Sequence, residues 1–173
     1  MKRIPKNPTP QAMARYAYAL ESCRLPERFA FSELVRTDTG LPNVPGWRET
    51  LNLRLLARYL DRIREDYGKP IKVNSGFRSE AVNERVGGAK SSAHLDGLAA
   101  DIVPLNCTAE ECGKLLGALE MALPETVYSA DIPVALDQLI VYCKTPKDLS
   151  SGIRFFHVGV NIDGKPRRMV LWK

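Results

Sequence analysis

The sequence contains two histidines, His94 and His157. His94 is followed by Gly97 and Asp101 in the spacing His-x-x-Gly-x-Ala-x-Asp, which sets a flexible bend between two kinds of ligand. Asp101 lies in the run Ala99-Ala100-Asp101-Ile102-Val103; on a strand it points away from Ala100 and Ile102. An acid in such an apolar run is costly to bury unless it is paired or bound to a metal. His157 lies in Phe155-Phe156-His157-Val158-Gly159-Val160. Alternation turns Phe156, Val158 and Val160 to one face and His157 to the other, where Gly159 leaves space beside the ring. If both strands belong to one sheet, His157 and Asp101 share the face that His94 approaches from its loop.

Two imidazoles and one carboxylate are a nitrogen and oxygen set that suits zinc. Three protein ligands leave a fourth position open, the catalytic rather than the structural arrangement. Zinc in such a site brings the pKa of a bound water toward ~7 and polarises a carbonyl. By spacing alone, two histidines that merely fill core or surface positions are an equally good reading. The flanking residues change the balance.

The elements that must position these residues are legible from patterning. Arg48 to Tyr67 is a helix, with Leu56, Leu60, Ile63 and Tyr67 on one stripe and Gly68 and Pro70 as its stop. Ile71 to Ser75 and Ala99 to Val103 are strands. Ser79 caps a short helix to about Val86, ended by Gly87-Gly88. Thr108 with Glu111 predicts a capping box opening a helix to about Ala122, stopped by Pro124. Asp137 to Cys143 and Phe155 to Val160 are further strands, and Val170 to Trp172 is an edge strand. The turn formers between Thr37 and Gly46 make a long loop. Pro5, Pro8 and Pro10 mark residues 1–26 as an arm with a short helix near Ala12 to Cys23, ahead of a domain over residues 27–173. The fold expected is α+β: a central, mostly antiparallel sheet with flanking helices.

Composition fits one soluble globular domain: 173 residues, 45% hydrophobic and 26% charged. The net charge of +5 favours anionic partners, but the basic residues are scattered. Lys165, Arg167 and Arg168 are one short group, and no basic run carries interleaved aromatics, so no nucleic-acid role is expected. The four cysteines form no Cys-x-x-Cys pair and are read as buried free thiols. No apolar stretch reaches the roughly 20 residues of a membrane span. The basic start, Met1-Lys2-Arg3-Ile4-Pro5, lacks an apolar core behind it, so cytoplasmic synthesis without a signal peptide is expected. No His-Glu-x-x-His, Gly-x-x-x-x-Gly-Lys or Gly-x-Ser-x-Gly motif occurs.

The flanking residues carry a resemblance. Ser75-Gly76-Phe77-Arg78-Ser79, Val82-Asn83, Val86-Gly87-Gly88-Ala89, Ser92-Ala93-His94-Leu95-Asp96-Gly97-Leu98-Ala99-Ala100-Asp101-Ile102 and Phe156-His157-Val158 occur in order. Together they resemble the signature of the zinc D-Ala-D-Ala carboxypeptidases, with the phage and prophage cell-wall-lysis branch nearest in wording. The likeness runs from about Phe31 to Val160. It implies a Hedgehog/D-Ala-D-Ala-peptidase-like fold, zinc on His94, Asp101 and His157, and a peptidoglycan peptide as partner of a monomeric chain. It also implies that Arg78 contacts substrate and that Ser92 either bonds substrate or caps its loop.

One part of the family pattern is missing. A carboxylate is expected near the metal-bound water, either three residues before the last histidine or on the preceding strand. This chain has Arg154 at the first position and Tyr142 at the second. Tyrosine, with a pKa near ~10, is a poor base at neutral pH but can donate a hydrogen bond to an oxyanion. Asp137 is the carboxylate of that strand, on the face opposite Tyr142 unless a bulge intervenes. Asp96, Glu80 and Asp148 are further candidates. The expected activity is a zinc peptidase cutting a D-Ala-containing bond of peptidoglycan. The alternatives are a zinc-containing wall-binding module without catalysis and a phage structural component.

Overall fold

The computed structural model describes Thr9, residues 28–129 and residues 132–173. The helix expected near Ala12 to Cys23, and nearly all of the arm, lie outside the described residues. The elements run α1 (Phe31–Val35), α2 (Trp47–Tyr67), β1 (Ile71–Ser75), α3 (Glu80–Arg85), a 3-10 turn (Ala93–Asp96), β2 (Ala99–Pro104) and α4 (Ala109–Met121). Four strands follow: β3 (Thr126–Ser129), β4 (Ile132–Thr145), β5 (Asp148–Asn161) and β6 (Met169–Trp172).

These form one six-stranded sheet in the order β1-β2-β5-β4-β3, with β6 also pairing β4. Every pairing is antiparallel except the parallel contact of β4 with β6. The α+β expectation therefore holds. Helix α1 and strand β3 carry too few residues to show a period and were not foreseen. Strands β4 and β5 extend beyond the expected segments because they pair with each other as a long hairpin.

Helix α2 ends where Gly68 takes the left-handed conformation, φ 76°, and returns its N–H to the Arg64 carbonyl. Its buried surface is wider than one stripe: Leu51, Leu53, Leu55, Leu56, Ala57, Tyr59, Leu60 and Ile63 are all buried. The Tyr59 hydroxyl donates to the Ala122 carbonyl at 3.1 Å, tying α2 to the end of α4. At the start of α4, Thr108 Oγ1 accepts from the Glu111 N–H at 3.2 Å. The reciprocal half of the expected capping box is not made. The Glu111 carboxylate instead takes hydrogen bonds from the Tyr67 hydroxyl at 2.6 Å and Lys69 at 2.7 Å.

The two faces of the sheet differ in kind. Ala100, Ile102, Leu139, Val141, Phe156 and Val158 are buried in the apolar core with the helices. On β2 and β5 the intervening positions carry Asp101 and His157, and these stand directly opposite each other in the register.

Candidate metal centre

Each ligand is delivered by a different device. Asp101 is placed by the alternation of β2, and His157 by that of β5, so a single cross-strand pair brings carboxylate and imidazole together. His94 arrives on the 3-10 turn, which Gly97 ends at φ 68°. A Cβ on Gly97 would also lie 2.7 Å from the Glu49 carbonyl oxygen of α2, so glycine is required there twice over. The buried Asn52 of α2 donates to the Asp96 carbonyl at 2.7 Å and fastens the same turn to the helix.

The donor atoms converge. His94 Nε2 lies 3.2 Å from Asp101 Oδ1 and 3.2 Å from His157 Nδ1, and His157 Nδ1 lies 2.9 Å from Asp101 Oδ1. A tetrahedral zinc with bonds of about 2.0–2.1 Å separates its ligand atoms by about 3.3 Å, so the three sit as one face of such a tetrahedron. His94 Nδ1 is 2.6 Å from the Gly76 carbonyl oxygen, an acceptor, which puts the ring proton on Nδ1. His94 Nε2 therefore presents a lone pair to a carboxylate oxygen. Two such acceptors facing each other call for a positive charge between them, and a divalent cation supplies it. The carbonyl contact is also the outer support that metal-bound histidines use to fix their tautomer.

Electrostatics agree with this chemistry. Burial lowers the pKa of His94, against the raising effect of the adjacent Asp101 carboxylate, so the ring is neutral at pH 7. Burial alone would raise the pKa of Asp101. The neighbouring imidazoles of His157 and His94 outweigh it and hold the carboxyl well below its ordinary value. A neutral His94 imidazole and an ionised Asp101 carboxylate are in the protonation states that metal binding needs.

Arg78 joins the group. Its Nη2 donates to Asp101 Oδ2 at 2.5 Å and its Nε to Ser75 Oγ at 2.9 Å. Its side chain also lines a cleft of about 590 Å³, bounded by Val44, Trp47, Phe77, Lys90 and Ser92 among others. Arg78 thus connects the ligands to the open surface. Ser92 lines the same cleft, and its side chain makes no capping bond to the turn that follows it.

Other expected residues are placed elsewhere. The strand does bulge at Asp137, between Leu136 and Gln138. Yet Asp137 is engaged by Arg167, whose N–H, Nε and Nη2 donate to it at 2.7, 2.9 and 2.5 Å. It is not brought to the metal ligands. The β4 residues on the His157 side are Gln138, Ile140 and Tyr142, so this strand sets no carboxylate opposite His157. Tyr142 stacks on Phe155 with ring centroids 4.4 Å apart, and the Lys173 ammonium lies 5.8 Å from its ring centre. Arg154 is exposed beside Phe155. Asp96 is paired with Arg48 at 2.7 Å, and Asp148 is exposed at the hairpin end of β5. Glu80 lines the cleft. At Gly159 an added Cβ would meet His157 Nε2 at 3.6 Å, an ordinary contact, so space beside the ring is convenient rather than demanded.

The sequence reading missed Asn43. Its side chain donates to the Val35 carbonyl at 2.8 Å and to the Phe77 carbonyl at 2.9 Å, and accepts from the Ser79 N–H at 2.7 Å. It therefore grips the backbone on both sides of Arg78. The signal was a lone asparagine in a turn-rich loop, and its partners lie up to 36 residues away.

The model of the family described as Peptidase M15 matches residues 28–125, more than half of the chain. This chain belongs to the Peptidase M15 family. The matched stretch carries Arg78, Ser92, His94 and Asp101, while His157 lies beyond it. A zinc D-Ala-D-Ala carboxypeptidase of Streptomyces albus G is 39% identical over 80 residues, covering 44% of this chain. That stretch is 31% of the relative, so this chain matches about a third of its length. Among the described residues no helix is long and apolar enough to cross a membrane.

Proposed function

We propose that this M15 family chain is a zinc peptidase that hydrolyses a D-Ala-containing bond in peptidoglycan stem peptides. The observation that carries the reading is the three-donor face of His94 Nε2, Asp101 Oδ1 and His157 Nδ1, backed by Arg78 on an open cleft. Zinc held there supplies Lewis acidity toward a carbonyl and makes a water nucleophilic near neutral pH. Asp101 would hold the metal through Oδ1 while Oδ2 accepts from Arg78, so carboxylate and guanidinium are fixed in one unit. Arg78 offers its remaining N–H groups to a substrate carboxylate or a developing oxyanion. Ser92 and Tyr142 are substrate-contacting groups in this proposal. The stem-peptide substrate is supported by the relative's printed activity and by the motif resemblance. Monomeric action of a domain over residues 27–173, in a phage or prophage lysis setting after cytoplasmic synthesis, belongs to the same proposal.

A second reading has one observation in its favour. With Asp137 held by Arg167 and Tyr142 opposite the β5 hairpin, β4 provides no proton-transfer carboxylate. That arrangement favours a zinc-containing wall-binding module. Among the described residues Glu80 is a cleft carboxylate that no ion pair engages, which opens a proton-transfer role to it.

The test is muropeptide digestion by the purified chain with one equivalent of zinc. Released peptide that is lost in His94→Ala supports the peptidase. Retained activity in Asp137→Asn, with loss in Glu80→Gln, locates the acid in the cleft. Sacculus binding with one zinc bound and no released peptide supports the second reading and overturns the first.

A further inference from the structure

Cys107 and Cys112 bring their sulfurs to 3.4 Å across the first turn of α4. Their places in the chain explain the contact. Cys107 precedes the Thr108 N-cap, and Cys112 is the fourth helical residue. Side chains at these two positions meet at a helix entry, where a pair of apolar groups usually packs. Here both are thiols. Cys107 is exposed and Cys112 is buried, so the expectation of buried thiols fails at Cys107. The connection they span joins α4 to the end of β2, the strand that carries Asp101. The pair is separate from the cluster of His94, Asp101 and His157.

We propose that Cys107 and Cys112 form a dithiol–disulfide site that reacts with small disulfides of the glutathione class. The exposed Cys107 thiolate attacks one sulfur of oxidised glutathione, which breaks the S–S bond and expels one glutathione thiolate. Cys112 then loses its proton and attacks the Cys107 sulfur, expelling the second glutathione. The two thiol protons finish on the two glutathiones, so one dithiol and one disulfide give one disulfide and two thiols. The sulfurs must close by about 1.4 Å to reach a covalent S–S length of about 2.05 Å. Burial, then contact with Cys107, pushes the Cys112 thiol up to about 12, and the exposed Cys107 is the entry point.

The experiment treats the reduced full chain with oxidised glutathione, blocks free thiols, and reads intact mass and a peptide map. The expected result is loss of the mass of two hydrogens, one cross-linked peptide holding Cys107 and Cys112, and reversal by dithiothreitol. Cys112→Ser is expected to stop at one glutathione carried on Cys107. Cys112→Ala serves the same purpose should a hydroxyl at this buried position prevent folding. The proposal is overturned by wild-type protein that keeps glutathione on Cys107, that joins Cys107 to Cys23 or Cys143, or that leaves both thiols free to the blocking reagent.

Discussion

Two arginine–aspartate pairs, built on Asp101 of β2 and Asp137 of β4 with β5 between those strands, do different things. Arg78 with Asp101 is largely enclosed, with side-chain exposures of 16% and 10%; Arg167 with Asp137 has exposures of 60% and 16%. Asp101 divides its oxygens between the arginine and two imidazoles, whereas Asp137 gives both of its oxygens to one arginine. Both aspartates occur in apolar strand segments. What separates them is the company that the strand register supplies: β2 and β5 set Asp101 against His157, while the bulge in β4 leaves Asp137 to the chain entering β6. An aspartate in an apolar strand is therefore not yet a site. It becomes one when its partners leave a lone pair that only a cation satisfies.

The comparison can be broken most severely at Asp101. Asp101→Ala removes a proposed zinc ligand and strands Arg78, and we expect one equivalent of zinc to be lost on dialysis, along with any peptide hydrolysis. Elemental analysis checks the first and muropeptide digestion the second; zinc retained at wild-type stoichiometry would remove Asp101 from the ligand set. Next in size is Arg78→Ala. If Arg78 stabilises developing charge, turnover falls by about 10²–10³-fold while zinc stays bound.

Asn43→Ala is expected to act through Arg78. Losing the three side-chain bonds that flank that residue costs about 1–3 kcal/mol of folding stability. Turnover should fall with zinc stoichiometry unchanged, and chemical denaturation alongside steady-state kinetics separates the two effects. Stability loss with unaltered turnover would show that Asn43 only braces the loop.

Acid probes the same contrast without mutation. Protons compete with metal for the imidazoles, so zinc affinity falls as pH falls. Because burial lowers the His94 pKa from its ordinary value of 6.5, this nitrogen is available to metal at neutral pH and is protonated only on acidification below that value. Chelator competition at descending pH measures it, and pH-independent affinity would contradict a histidine site. The smallest effect is expected at Asp137→Asn: about 0–1 kcal/mol, as for other exposed pairs, with zinc binding untouched.

Much of the fold was legible because its signals are local. Gly68 ends α2, Ser79 and Thr108 cap their helices, and Phe156, Val158 and Val160 give β5 its inner face. Those signals need only neighbours within a turn or a pleat. Asn43, Asn52 and the Gly76 carbonyl were not legible as parts of the site, since each acts on a residue 18 or more positions away. Glu111 shows the same limit from the other side. Its local capping pattern is present, but Tyr67 and Lys69, more than 40 residues earlier, claim the carboxylate.

The sequence by itself determined the kinds of donor available, the faces on which Asp101 and His157 lie, and the bend that frees His94. These follow from residue type and from the two-residue period of a strand. Only the tertiary structure decided that the three donors meet within about 3 Å of one another, that Arg78 backs the carboxylate, and that Asp137 is claimed by Arg167. Register between strands is fixed by packing of the apolar face across the whole sheet, and no local stretch of sequence contains that information.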